Sequence, residues 1–231
     1  MKKLSVKLTP TETLLGWIYM GLQLFAIPTL LVVANQFTGT PLDETGLNIV
    51  YFVLNFLCVC LIFSKYLLAC GKISLAAKRK TILSSVFGYL IHWGLGIVVS
   101  IVILSVYPEF NNVNDANIQS MVDSNFALTA IATILLVPIT EEVLYRGLIF
   151  QGLHSKNRIL AYAVSSLAFC LPHVLGYIGL YSPLHLLLCF IQYLPAGLAL
   201  AWSYERADSI WAPILLHMFI NLLGVGAMIV R

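Results

Sequence analysis

The chain has 231 residues, 60% hydrophobic and 10% charged, with a net charge of +3. Soluble domains average roughly 45–50% apolar and 25% charged residues, so a water-soluble globule of this length could not hide its apolar surface. Disorder, collagen, a coiled coil and a basic nucleic-acid binder are excluded together, and the composition is that of an integral membrane protein.

Apolar stretches run near 13–34, 47–64, 82–106, 125–153, 159–180, 184–204 and 210–230. Each reaches the roughly 18–20 residues a helix needs to cross about 30 Å of hydrocarbon. The runs are continuously apolar rather than alternating, which argues against a barrel. The expected fold is all-α, a polytopic transmembrane helical bundle of about seven helices. Val32-Val33-Ala34 faintly resembles a signal-peptidase site, but the apolar run before it exceeds the roughly 7–15 residues of a signal core. The first helix is expected to stay uncleaved. The segment 107–124, polar and Asn-rich, reads as an external connection. Cys58, Cys60, Cys170 and Cys189 fall in apolar spans and Cys70 at an edge, without metal-ligand spacing, so they read as small apolar fillers.

Lys and Arg in the short connections set the orientation. Lys2, Lys3 and Lys7 precede the first span; Lys65, Lys72, Lys78, Arg79 and Lys80 follow the second; Lys156 and Arg158 follow the fourth, and Arg206 the sixth. The alternate connections carry no Lys or Arg. Eleven of the thirteen basic residues thus share one side, read as cytoplasmic, with the N-terminus inside. Arg231 stands against the rule. The 78–80 cluster reads as a topology anchor.

Three charges lie deep in the fourth span, in Val137-Pro-Ile-Thr-Glu-Glu-Val-Leu-Tyr-Arg-Gly147: Glu141, Glu142 and Arg146. A charge at mid-bilayer costs at least about 2.5–3.5 kcal/mol. Glu142 and Arg146 are four apart, acid first, so they share a helix face and can pair. Glu141 points about 100° away and is left for function.

Histidines supply its company. His173 is about 21 Å and Glu141 about 18 Å from the cytoplasmic ends of their helices at 1.5 Å per residue. His217 and Asn221, four apart on the last helix, share a face at about 10 and 16 Å. Five polar groups on three helices can therefore meet in one cavity, in the cytoplasmic half or near the midplane. Pro138, Pro172, Pro195 and Pro213 sit where kinks would open a water-filled space. His92, without a polar companion in its span, reads as a helix–helix hydrogen bond, Gln192 as interhelical glue, and His154 and His185 as interfacial.

EExxxR (Glu141, Glu142, Arg146), FxxxH (Phe169, His173) and HxxxN (His217, Asn221), in that order, resemble the CPBP family of intramembrane proteases. That family contains type II CAAX prenyl endopeptidases and bacterial Abi-type and lysostaphin-resistance-A-like proteins. The resemblance covers about residues 126–225 and divides the chain into a divergent part, 1–124, with helices one to three, and a catalytic helical core, 125–231, with helices four to seven. It implies hydrolysis of a peptide bond inside the membrane. Glu141 and His173 would activate a water, His217 and Asn221 would donate to the oxyanion, and Glu142 and Arg146 would hold the fourth helix. Zinc or another divalent metal is the open cofactor, for which Glu141, His173 and His217 would be the ligands.

The expected partners are the lipid bilayer and a membrane-embedded or lipid-anchored protein or peptide substrate, and no nucleic acid. In enzymes that cut prenylated C-termini the peptide would enter from the cytoplasm. Two other readings are open: a noncatalytic bacteriocin-immunity or signalling modulator on the same fold, and a proton-coupled transporter, since buried Glu and His also make proton relays, against which there are no paired inverted repeats. The expected location is the plasma membrane of a bacterium, with the endoplasmic reticulum as the alternative.

Overall fold

The computed structural model describes residues 4–230, so Lys2, Lys3 and Arg231 of the charge pattern lie outside the described residues. Nine principal helices follow one another among them: α1 (Pro10–Gln36), α2 (Glu44–Ile62), α3 (Ser64–Ala76), α4 (Lys78–Val106), α5 (Val113–Ser124), α6 (Phe126–His154), α7 (Arg158–Leu175), α8 (Pro183–Ala207) and α9 (Trp211–Ile229). Seven of them, all but α3 and α5, are long and apolar enough to cross a membrane. The protein is an all-α, multi-pass membrane bundle.

Helix starts follow local chemistry. Thr9 and Glu12 cap α1 reciprocally: the Glu12 N–H donates to Thr9 Oγ1 at 3.2 Å and the Thr9 N–H to Glu12 Oε2 at 2.8 Å, which satisfies two otherwise orphaned donors. The other oxygen of Glu12 accepts the Tyr66 N–H at 2.9 Å and ties α1 to α3. Asp43, Asn112, Asn125, Asn157 and Ser182 cap α2, α5, α6, α7 and α8 with side-chain oxygens. At the opposite end of α8, Asp208 adopts φ 64°, a left-handed conformation its short polar side chain tolerates. Its carboxylate accepts from the N–H and hydroxyl of Ser5, which seats the N-terminal segment on the basic end of the bundle.

The structure changes three sequence expectations. The 65–81 connection is mostly helical, as α3, with Tyr66 and Cys70 buried. The 107–124 segment is no plain connection: α5 buries Val113, Met121 and Val122 against the bundle. A run of Asn and Asp disguises this helix, because these residues lower helix propensity in the interior while one of them, Asn112, starts it. The fifth span ends at Leu175 rather than near 180. Pro172 interrupts α7, and Gly179 takes φ 88° in the turn that follows.

Small residues bring the central helices together. α4 packs along α8 and α9, and a Cβ added at Gly88 would stand 2.6 Å from Leu216 Cδ2 and 3.3 Å from Ser203 Cβ. Close approach of backbones at Gly, Ser and Ala is how helices associate in lipid. Gly88→Ala should therefore lower the thermal stability of the detergent-solubilised protein by about 1–3 kcal/mol, the usual cost of overpacking. An unchanged melting temperature would mean that Leu216 yields freely. α6 and α8 are the most enclosed spans, and α4 is the most outward-facing.

Candidate active site

α6 carries Glu141, Glu142 and Arg146, and its backbone departs from α geometry twice. π-helical turns run over 132–136 and 143–150, on either side of Val137–Glu142, and such turns widen the helix and often mark functional sites. In the second, Arg146 Nη1 donates to Glu142 Oε1 at 3.1 Å, with both side chains fully buried. Arg146 Nη2 donates to the Gly197 carbonyl on α8 at 2.9 Å. Its guanidinium lies 4.5 Å from the centroid of the Phe169 ring on α7. The pair predicted from spacing thus forms, and it holds α6, α7 and α8 in register.

Glu142 also does something the spacing did not show. Its Oε1 accepts from Nδ1 of His217 at 2.9 Å, across from α9. A carboxylate only accepts, so the proton sits on Nδ1, and Nε2 of His217 is left 4.0 Å from Glu141 Oε2. His173 is fixed in the same way: its Nδ1 donates to the Phe169 carbonyl at 2.9 Å. A carbonyl carries no proton, so Nδ1 of His173 carries one, and in the neutral ring Nε2 holds the lone pair. Tyr193 on α8 lies against the ring at a centroid distance of 4.0 Å. Both imidazoles therefore carry a proton on Nδ1 and have a defined face.

Glu141, His173, His217 and Asn221 all line one cavity of about 440 Å³, within the roughly 300–1,000 Å³ of ligand-binding clefts. Glu142 and Arg146 lie behind its wall. Glu141 Oε2 is buried without a hydrogen-bond partner. Asn221 already spends one N–H: its Nδ2 donates to the Thr133 carbonyl in the first π turn of α6 at 2.8 Å, leaving its second N–H as the donor for a ligand. Among the described residues, no three His, Cys, Asp or Glu side chains are grouped to hold a metal ion. Glu141, His173 and His217 do not form a zinc ligand set in this arrangement.

The cavity also differs in extent from the sequence reading. It continues from Glu141 towards α5 and the C-terminal part of α9, where Asn112, Asp115, Gly224 and Met228 line it. No residue of the basic end, 63–80, 146–166 or 199–216, reaches it. That end is filled by Phe63, Tyr66, Phe150 and Tyr204, all buried. Tyr66 and Tyr204 share a hydroxyl hydrogen bond of 2.9 Å. The seal extends to His154, read from sequence as interfacial but buried here with Nε2 2.8 Å from Glu205 Oε1.

The comparisons bear on the same half of the chain. Residues 123–223 match the family model described as type II CAAX prenyl endopeptidase Rce1-like. Over these residues the chain is similar to that family. The match takes in α6, α7, α8 and most of α9, the stretch over which the three motifs showed the resemblance. A Bacillus subtilis (strain 168) protein named "Putative membrane peptidase YdiL" is 33% identical over 108 residues, 46% of this chain and 40% of that protein. The Lactococcus lactis subsp. lactis (strain IL1403) protein named "UPF0177 protein YxdF" is 30% identical over 93 residues, 40% of this chain and 46% of that protein. The chain thus aligns with less than half the length of either relative. No solved structure matches it.

The matched segment does not supply all of the cavity's lining. Tyr51, Asn55 and His92 line the cavity from α2 and α4, outside the matched residues. His92 was expected to make a helix–helix hydrogen bond, but its Nδ1 is buried with no partner. Gln192, expected as glue, does accept from Asn112 Nδ2 at 2.6 Å. Isolated polar residues in divergent spans carry no motif, so only the fold gathers them.

Proposed function

We propose that the cavity hydrolyses a peptide bond of a membrane-embedded or lipid-anchored protein or peptide, with a water activated by Glu141 and His173. The observation that carries this is the convergence of Glu141 with two imidazoles whose Nδ1 atoms are tied down, so that each presents Nε2. A water placed between Glu141 and Nε2 of His173 gives a proton to the carboxylate as its oxygen bonds the scissile carbonyl carbon. The carbonyl oxygen becomes the oxyanion. It accepts from the free N–H of Asn221 and from Nε2–H of His217. With its Nδ1 proton on Glu142, His217 donates from Nε2 only as the imidazolium, and Glu142 is then its counter-ion. Collapse breaks the C–N bond, and Glu141 returns its proton to the leaving amine.

The test is a comparison of protein termini in membranes of cells expressing wild type or Glu141→Gln. New termini present with wild type and missing with the variant support the reading; identical sets overturn it. Chelator should leave cleavage by the purified protein unchanged, since the donors are not grouped for a metal. Inactivation by chelator with recovery on adding zinc would contradict this.

The basic residues point to an orientation with the N-terminus and the α2–α4, α6–α7 and α8–α9 connections cytoplasmic. In that orientation the cavity's reach towards α5 makes the substrate enter from the non-cytoplasmic half, not from the cytoplasm. A bacterial plasma membrane is the proposed location. Single cysteines introduced in 107–124 should react with an impermeant thiol reagent added outside, and those in 72–80 should not; the reverse pattern overturns the orientation.

A further inference from the structure

We propose that His92, on α4 and outside the Rce1-like segment, is a substrate-contacting residue that hydrogen-bonds the unwound backbone of the peptide beside the scissile bond; this rests on the peptidase reading above. A bond buried in a transmembrane helix has its backbone groups paired within the helix, so cutting it requires local unwinding. Each N–H and C=O then freed away from water costs several kcal/mol unless a partner replaces the lost one. The cavity wall must therefore offer uncommitted donors and acceptors. Most of its polar side chains are already committed. Asn55 is bonded to the Tyr19 hydroxyl and the Tyr51 carbonyl, Gln23 accepts from the Tyr51 hydroxyl, and Gln192 accepts from Asn112. Besides Glu141, His92 is left: it lines the cavity and its Nδ1 is buried without a protein partner.

Its position suits the task. α4 and α9 both run away from the basic end and pack side by side. Their register is set where Gly88 meets Leu216 and where Tyr89 packs edge-on against Phe219 at a centroid distance of 5.0 Å. Four residues past Gly88, about 6 Å along the axis, His92 stands level with Ile220 and Asn221, next to the proposed oxyanion donors. A neutral imidazole offers one donor and one acceptor, the complement of a peptide group.

The experiment quantifies the Glu141-dependent termini in membranes carrying wild type, Glu141→Gln, His92→Phe, His92→Leu or His92→Asn at matched expression, with melting temperatures measured in detergent. The two apolar variants should reduce those termini about tenfold to a hundredfold, as expected for leaving a buried polar group unpaired at about 1–3 kcal/mol. His92→Asn keeps a donor and an acceptor and should stay within a few-fold of wild type. Wild-type levels with a folded His92→Phe or His92→Leu overturn the inference. So does an Asn variant as impaired as the apolar ones, since that pattern reports packing. Loss in Glu141→Gln without loss in the apolar variants leaves the peptidase reading standing and removes His92 from it. Termini unaffected by Glu141→Gln defeat the peptidase reading itself, and this inference with it.

Discussion

Glu141→Gln should lower peptide-bond cleavage by roughly 10²–10⁴-fold, the range for loss of a positioned general base, and should leave the melting temperature at or above that of wild type. The two halves of this expectation have one source. Glu141 Oε2 is buried and makes no hydrogen bond, and its ion-pair contact among the described residues is His217 Nε2 at 4.0 Å. A carboxylate in such a place adds little to the fold, because a buried charge without good partners is a cost. Gln keeps the shape and removes both the charge and the capacity to take a proton from water. Turnover and thermal melting of the purified protein check the expectation. Near-wild-type cleavage would make Glu141 a packing residue, and a large fall in melting temperature would make it a structural one.

Sequence and structure agree most where lipid imposes the rule. The seven spans were legible because a bilayer demands long, continuously apolar helices, and the Glu142–Arg146 pair was legible because a four-residue spacing leaves few alternatives. The gathering of Glu141, His173, His217 and Asn221 on one cavity followed from matched depths, which depend only on helical rise. Less was legible where the backbone leaves ideal geometry. The π turns of α6 carry no residue signature, yet one of them presents the Thr133 carbonyl that engages Asn221. Nor could spacing along one helix show Glu142 reaching across to His217, since that contact depends on how α6 and α9 pack. His92 and α5 were misread for a related reason: each looks ordinary in its own segment and acquires its setting only from neighbours distant in sequence.

Arg146→Met should destabilise the protein by about 3–5 kcal/mol, the cost of breaking a buried ion pair from one side. It leaves the fully buried Glu142 carboxylate, whose Oε2 already lacks a partner, with His217 Nδ1 as its remaining contact, and it deprives the Gly197 carbonyl of its Arg146 donor. Adding Glu142→Gln removes a buried charge that has lost its guanidinium, so the double variant should recover much of the lost stability, because neutral replacement of a buried pair is often tolerated. Cleavage should not recover with it. The amide carbonyl that Glu142→Gln introduces would still accept from Nδ1 of His217 and hold the ring in place, but a neutral amide cannot balance an imidazolium. His217 would then present Nε2 as a lone pair, facing an oxyanion with an acceptor. The expected loss is that of one oxyanion donor, about 10²–10³-fold. Folded yield and melting temperature, measured beside turnover in both singles and the double, separate the two roles. A double variant that regains both stability and cleavage would show that His217 works neutral, with Glu142 needed for the fold and not for the reaction.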